Sequence, residues 1–198
     1  MRNGIVLPDE HYMNNRVVFE NQSNTSLWAM FSAEEGHMNS SQIKFQKQFL
    51  SGFKQRLYFA KNLPMGLFAG IRLIELDGKR SVAKVPYRWR NKNPFASMYF
   101  AVQSMAAELS TAAPAMLAIR GVDYKVVLII TDMNAEFVKK AKTDLVFTCT
   151  SYQDNVRAIQ ALAHNGESAS VTAKTIGTDQ EGDVVSEFSF TWTFKRVS

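Results

Sequence analysis

The chain has 198 residues, 46% of them hydrophobic and 21% charged, with a formal net charge of +5 and a single cysteine, Cys149. A core of this size needs no disulfide or metal to hold it. One cysteine excludes an internal disulfide and a Cys-rich zinc site, and no apolar run reaches the ~20 residues of a membrane span. The positive balance is that of a solvated basic surface or of a surface that meets anionic partners. It is the only feature that suggests nucleic acid, so no nucleic-acid partner is expected.

In chain order, residues 1–37 are polar and Asn-rich without sustained periodicity, and read as an appended or poorly ordered extension. Leu27–Phe31 is too short for a signal-peptide core, and Asp9 and Glu20 lie upstream of it, so a cytoplasmic location is expected. Residues 38–62 hold an accessory amphipathic helix over Ser41–Asn62, where Phe45, Phe49, Phe53 and Leu57 recur at four-residue spacing. Lys44, Lys47, Lys54 and Arg56 fill other positions. The expected use of its aromatic face is packing on the domain, although a basic amphipathic helix can also lie on a membrane.

Residues 63–198 read as the main domain. Leu63–Gly66 breaks the helix, and Ile71–Leu76 and Ser81–Arg90 form a hairpin about Asp77-Gly78, with Pro86 marking an edge or a bulge. A helix follows, with Asn93 as its cap, Pro94 in its first turn, and Pro114 ending or kinking it. Val126–Ile130 reads as a short buried strand, Leu145–Thr150 as a strand holding Cys149 in the core, and Asp154–His164 as a helix. Ser168–Thr178 and Val184–Val197 close the chain, the last with Phe188, Phe190, Trp192 and Phe194 alternating with polar residues.

The helix after Asn93 concentrates the chemistry. From Pro94 to Leu109 it has no lysine or arginine and one acid, Glu108. A helix apolar on all sides is a buried one. A carboxylate there either finds partners, such as Ser104 or Thr111, or has its pKa raised by lost solvation and can act as a base or nucleophile. A long apolar helix calls for a curved antiparallel sheet around it, which makes the fold class α+β.

A hairpin, then Asn93 ahead of a buried central helix, then a long antiparallel sheet, resembles the hotdog fold of acyl-CoA thioesterases. Their phenylacetyl-CoA thioesterase branch carries Asn or Gln, His-Gly-Gly six residues later, and a carboxylate nine residues after the His. Laid on this chain, the pattern falls on Asn93, on Tyr99, Phe100 and Ala101, and on Glu108. Both polar ends match and the His-Gly-Gly does not. A related 4-hydroxybenzoyl-CoA thioesterase branch uses glutamate as the carboxylate.

The resemblance implies hydrolysis of an acyl-CoA or other acyl thioester, with coenzyme A only as part of the substrate and no metal. The Phe100 N–H would polarise the thioester carbonyl, and Tyr99 would donate where the His does. Asn93 would position water or carbonyl, and Glu108 would be base or nucleophile. The Phe100 and Ala101 side chains would line the acyl pocket, and Arg88, Arg90 and Lys92 would meet the coenzyme A phosphates. Tyr99 and Glu108 lie about 13.5 Å apart along one helix, so the resemblance implies a homodimer with two composite sites, or a tetramer of such dimers. The alternative is a hotdog module that binds an acyl chain or a protein partner without turnover. Dehydration chemistry and a Ser-His-Asp triad are set aside, because His11, His37 and His164 lie far from the helix start.

Overall fold

The computed structural model describes residues 38–197, so the expectation for residues 1–37 lies outside it. Helix α1, Ser40–Leu50, starts at a reciprocal cap in which the Asn39 side chain accepts from the Gln42 N–H and the Gln42 side chain accepts from the Asn39 N–H, both at 2.9 Å. The helix expected through Asn62 breaks at Ser51, which is extended, and resumes as α2, Gly52–Asn62. Gln55 holds the break: its buried amide donates to Phe49 O at 2.6 Å and to Leu73 O at 2.9 Å. The break turns the aromatic stripe. Phe45 and Phe49 are buried, whereas Phe53 and Leu57 face outward, so only half of the expected face packs on the domain.

Leu63–Gly66 does not simply interrupt the chain. Pro64 sits in the first turn of a short helix α3, Pro64–Ala69, which ends at Gly70 with φ +76°. Strands β1, Arg72–Leu76, and β2, Ser81–Val85, form the expected hairpin, its turn held by Asp77 Oδ1 accepting from Lys79 and Arg80 N–H at 2.7 Å. Pro86, which has no N–H for a ladder, ends β2, so the expected alternation through Arg90 gives way to a 3-10 turn at Trp89–Asn91.

The central helix α4 spans Phe100–Ile119 and continues through Pro114 instead of ending there, supported by the burial of Ala113, Ala115 and Leu117. Strand β3 covers Val126–Phe137, β4 Leu145–Cys149, helix α5 Tyr152–Gln160, β5 Ser168–Thr178 and β6 Val184–Arg196. The six strands form one antiparallel sheet in the order β1-β2-β4-β5-β6-β3. Phe188, Phe190, Trp192 and Phe194 are buried as their alternation requires, and Cys149 is a core residue. This is the hotdog arrangement of sheet and central helix. Strand β3 differs from expectation: it is twelve residues long, lies at the sheet edge, and exposes Val127, Ile129, Ile130, Met133 and Phe137.

Candidate active site at the central helix

The helix starts later than the sequence suggests. Tyr99, not Asn93, stands at the cap position, and no side chain caps the N-terminus. Asn93 organises the loop ahead of it. Its Oδ1 accepts from Phe95 N–H at 3.0 Å and Ser97 N–H at 3.2 Å, while its Nδ2 lies 3.0 Å from Ser97 Oγ. That geometry closes a tight turn in which Ala96 takes the left-handed conformation, φ 55°. With its oxygen occupied, Asn93 has a side-chain N–H left to donate and little capacity to accept.

The loop is anchored from both sides. Met98 N–H donates to Ala141 O and Tyr99 N–H to Asn91 O, both at 2.8 Å. Asn91 in turn donates to Ala69 O and Pro86 O. Gln103, a buried amide that sequence reasoning passed over, donates to Met98 O at 3.3 Å and accepts from Ser186 Oγ at 2.9 Å, tying the loop to β6. Its signal in the sequence was that of a lone amide in an apolar helix.

The Phe100 and Ala101 N–H groups lie in the first turn and have no partner among the described residues. They sit at the positive end of a twenty-residue helix. This end borders an open cleft of about 390 Å³ lined by Asn93, Ser97, Met98, Phe100, Gln103, Phe137, Lys139, Lys140 and Ala141. Asn93 and Phe100 are thus brought together. Tyr99 is exposed, its ring packed edge-on against Phe100, so it is not a core residue. Phe100 also meets Phe137. Its ring stands where the related pattern has glycine and narrows the cleft. Lys139 is held by Asp179 and Asp183, both at 2.7 Å, which leaves Lys140 as the exposed cation of this cleft.

Arg88 and Arg90 line a different cleft of about 350 Å³, with Arg56, Arg72, Lys84 and Asp144. Lys92 lies over the Tyr87 ring at 4.7 Å. None of these three lines the cleft at the helix start.

Glu108 sits two turns further along α4. The helix is not covered on every side by its own chain: Ala101, Ser104, Met105, Glu108, Met116 and Ile119 form a half-buried stripe. The hydroxyls that could have satisfied Glu108 are engaged elsewhere. Ser104 Oγ donates to Phe100 O at 3.0 Å, and Thr111 Oγ1 donates to Glu108's own backbone carbonyl at 2.9 Å. The carboxyl has no hydrogen-bond partner among the described residues, and burial pushes it up from its ordinary value of 4.5 to about 7. It is therefore poised near neutrality, where a general base works best. Phe100 and Glu108 are separated by about 12 Å of helix, so one chain does not bring them to one reacting carbon.

Three solved structures place this fold among known proteins. A Pseudomonas aeruginosa protein described as a probable thioesterase is 18% identical, with a TM-score of 0.60 over 75% of this chain and 99% of that one. A Chlorobaculum tepidum protein of unknown function gives a TM-score of 0.62 at 13% identity, over 74% and 98% of the two chains. A Haemophilus influenzae thioesterase gives 0.56 at 12% identity, over 77% and 96%. At these identities the likeness establishes the fold. No curated protein matches the chain. The family described as a domain of unknown function, DUF4442, matches residues 54–194, and the chain belongs to it.

Proposed function

We propose that the protein hydrolyses an acyl thioester, with acyl-CoA as the leading substrate, at two sites composed across a homodimer. The observation that carries this reading is Glu108: an unpartnered carboxyl raised to about 7 on the half-covered stripe of a helix whose first-turn amides are free. The thioester carbonyl oxygen would accept from the Phe100 N–H, with the Ala101 N–H beside it, and the helix end would stabilise the developing negative charge. Glu108 of the second copy would take a proton from water as the water attacks the carbonyl carbon. Collapse of the tetrahedral intermediate expels the thiolate, which is protonated to the thiol. Attack by the carboxylate itself, with an anhydride then opened by water, uses the same geometry. Asn93, with a donor to spare, would orient the carbonyl.

Strand β3 supports the dimer. A twelve-residue edge with Val127, Ile129, Ile130 and Met133 exposed is an unprotected template for pairing with another strand. A two-fold axis there would set the two β3 strands antiparallel and let each chain complete the other's site. Hydrolysis assays across acyl-CoA chain lengths, wild type against Glu108→Ala, test the reading. Turnover abolished by the substitution supports it, and turnover that survives removes Glu108 from the mechanism. A second reading, a binding module without turnover, is favoured by the Phe100 ring in the cleft, and would show as acyl-CoA binding with no hydrolysis by the wild type.

A further inference from the structure

Away from the central helix, the first helical layer carries an unusual surface. From Ser40 to Ala69 the chain has no acidic residue, while Lys44, Lys47, Lys54, Arg56 and Lys61 are all basic. The break at Ser51 turns Phe53 and Leu57 away from the core, and Phe53 is 73% exposed. They meet Phe68 and Leu67 of α3 in a shallow groove of about 560 Å³ whose remaining walls are Arg56 and Arg90. Arg90 lies 5.9 Å from the centre of the Phe68 ring. The neighbouring cleft shares Arg56 and Arg90 and adds Arg72 and Arg88. None of these four arginines forms an ion pair among the described residues, and the one carboxylate in that cleft, Asp144, is held by Lys84. Trp89, 79% exposed, stands between Arg88 and Arg90 in the chain.

Exposed aromatic and aliphatic side chains ringed by charges of one sign are the surface chemistry of an interfacial membrane helix, whose apolar face enters the acyl boundary while its basic face meets anionic headgroups. The groove holds no acidic side chain, so its occupant must supply negative charge across the whole face, as a layer of anionic headgroups does. We infer that the α2–α3 face, centred on Phe53, Leu57, Phe68, Arg56 and Arg90, docks the protein on an anionic phospholipid surface. This is a peripheral contact, and no helix among the described residues is long and apolar enough to cross a membrane. The inference does not rest on the hydrolase reading.

The test is co-sedimentation of the full chain with vesicles of pure phosphatidylcholine and of an equal mixture with phosphatidylglycerol, at low and high salt. The expected result is binding to the mixed vesicles that weakens with salt, and little binding to phosphatidylcholine. Arg56→Gln with Arg90→Gln should weaken binding about 25-fold, on the basis of roughly fivefold per basic residue. Phe53→Ser with Leu57→Ser should abolish it while circular dichroism stays as in the wild type. Failure to bind the mixed vesicles at low salt, or binding that both double variants retain, would overturn the inference. So would a Phe53→Ser/Leu57→Ser protein that changes its sedimentation coefficient without vesicles, because a second copy would then be the occupant of this face.

Discussion

Trp192 Nε1 donates to Thr111 Oγ1 at 3.0 Å, and that hydroxyl passes its own hydrogen to the backbone carbonyl of Glu108. The sheet thereby grips the central helix one turn from its only acid and takes out of play the hydroxyl most able to satisfy the carboxyl. Thr111→Val keeps the shape but leaves the buried indole N–H without an acceptor. A loss of about 1–3 kcal/mol in denaturant unfolding is expected, the cost of an orphaned donor.

The raised Glu108 pKa has a signed consequence for stability. An acid whose folded pKa lies above its unfolded value favours the folded state while protonated. The penalty therefore grows as pH rises from about 4.5 towards about 7 and is constant above that. Glu108→Gln removes it. The variant should match the wild type near pH 4 and exceed it at pH 8 by up to about 3 kcal/mol, at roughly 1.4 kcal/mol per pKa unit. This is an upper bound, since the carboxyl keeps some solvent contact in the single chain. Urea melts at the two pH values check it, and equal stabilities at pH 8 would contradict the burial argument.

Turnover should follow the same group in the opposite sense. A base must be ionised, so kcat/KM for an acyl-CoA should rise with pH through a midpoint near 7 and level off above it. Glu108→Asp should keep a rising limb and Glu108→Gln should lose it.

The last strand was legible nearly residue by residue, Phe188 included, because strict alternation has one structural solution. The central helix was legible as an apolar run with one acid. Its start was not: Asn93 carries the chemistry of a helix cap and of an Asx turn equally well, and only the tertiary anchors at Asn91, Met98 and Ala141 show that the second applies. Val126–Ile130 looked buried because β-branched residues serve a core strand and an unpaired edge alike. The exposure of Phe53 and Leu57 follows from a backbone break at Ser51 that four-residue spacing cannot reveal. At the candidate site, Asn93, Phe100 and Glu108 are candidates that the pattern supplies. Gln103 and Lys140 were missed because they are placed by tertiary contacts.

Edge pairing at β3 predicts that oligomeric state and activity fall together. Ile129→Lys with Met133→Lys puts like charges on both facing strands. Sedimentation velocity should give a dimer for the wild type and a monomer without turnover for the variant. A monomeric wild type that hydrolyses thioesters would contradict the composite site.

Gly177 fills a close approach in β5. A methyl group there would come within 2.5 Å of the buried Phe147 ring and 3.0 Å of Ser186 Oγ. Gly177→Ala should cost about 1–3 kcal/mol from overpacking, seen as a lower Tm, without altering the pH midpoint of turnover.

The central claim is that the helix-start amide of one chain and Glu108 of the other serve one carbonyl, and subunit complementation tests it most directly. Phe100→Pro removes the amide hydrogen at a helical position where proline is tolerated, and Glu108→Gln removes the base. Each homodimer should be inactive. Unfolding and refolding the two together should restore about a quarter of wild-type turnover, because half of the dimers are mixed and each holds one intact site of its two. A refolded mixture as inactive as its parents, or a Glu108→Gln homodimer as active as the wild type, would contradict the account.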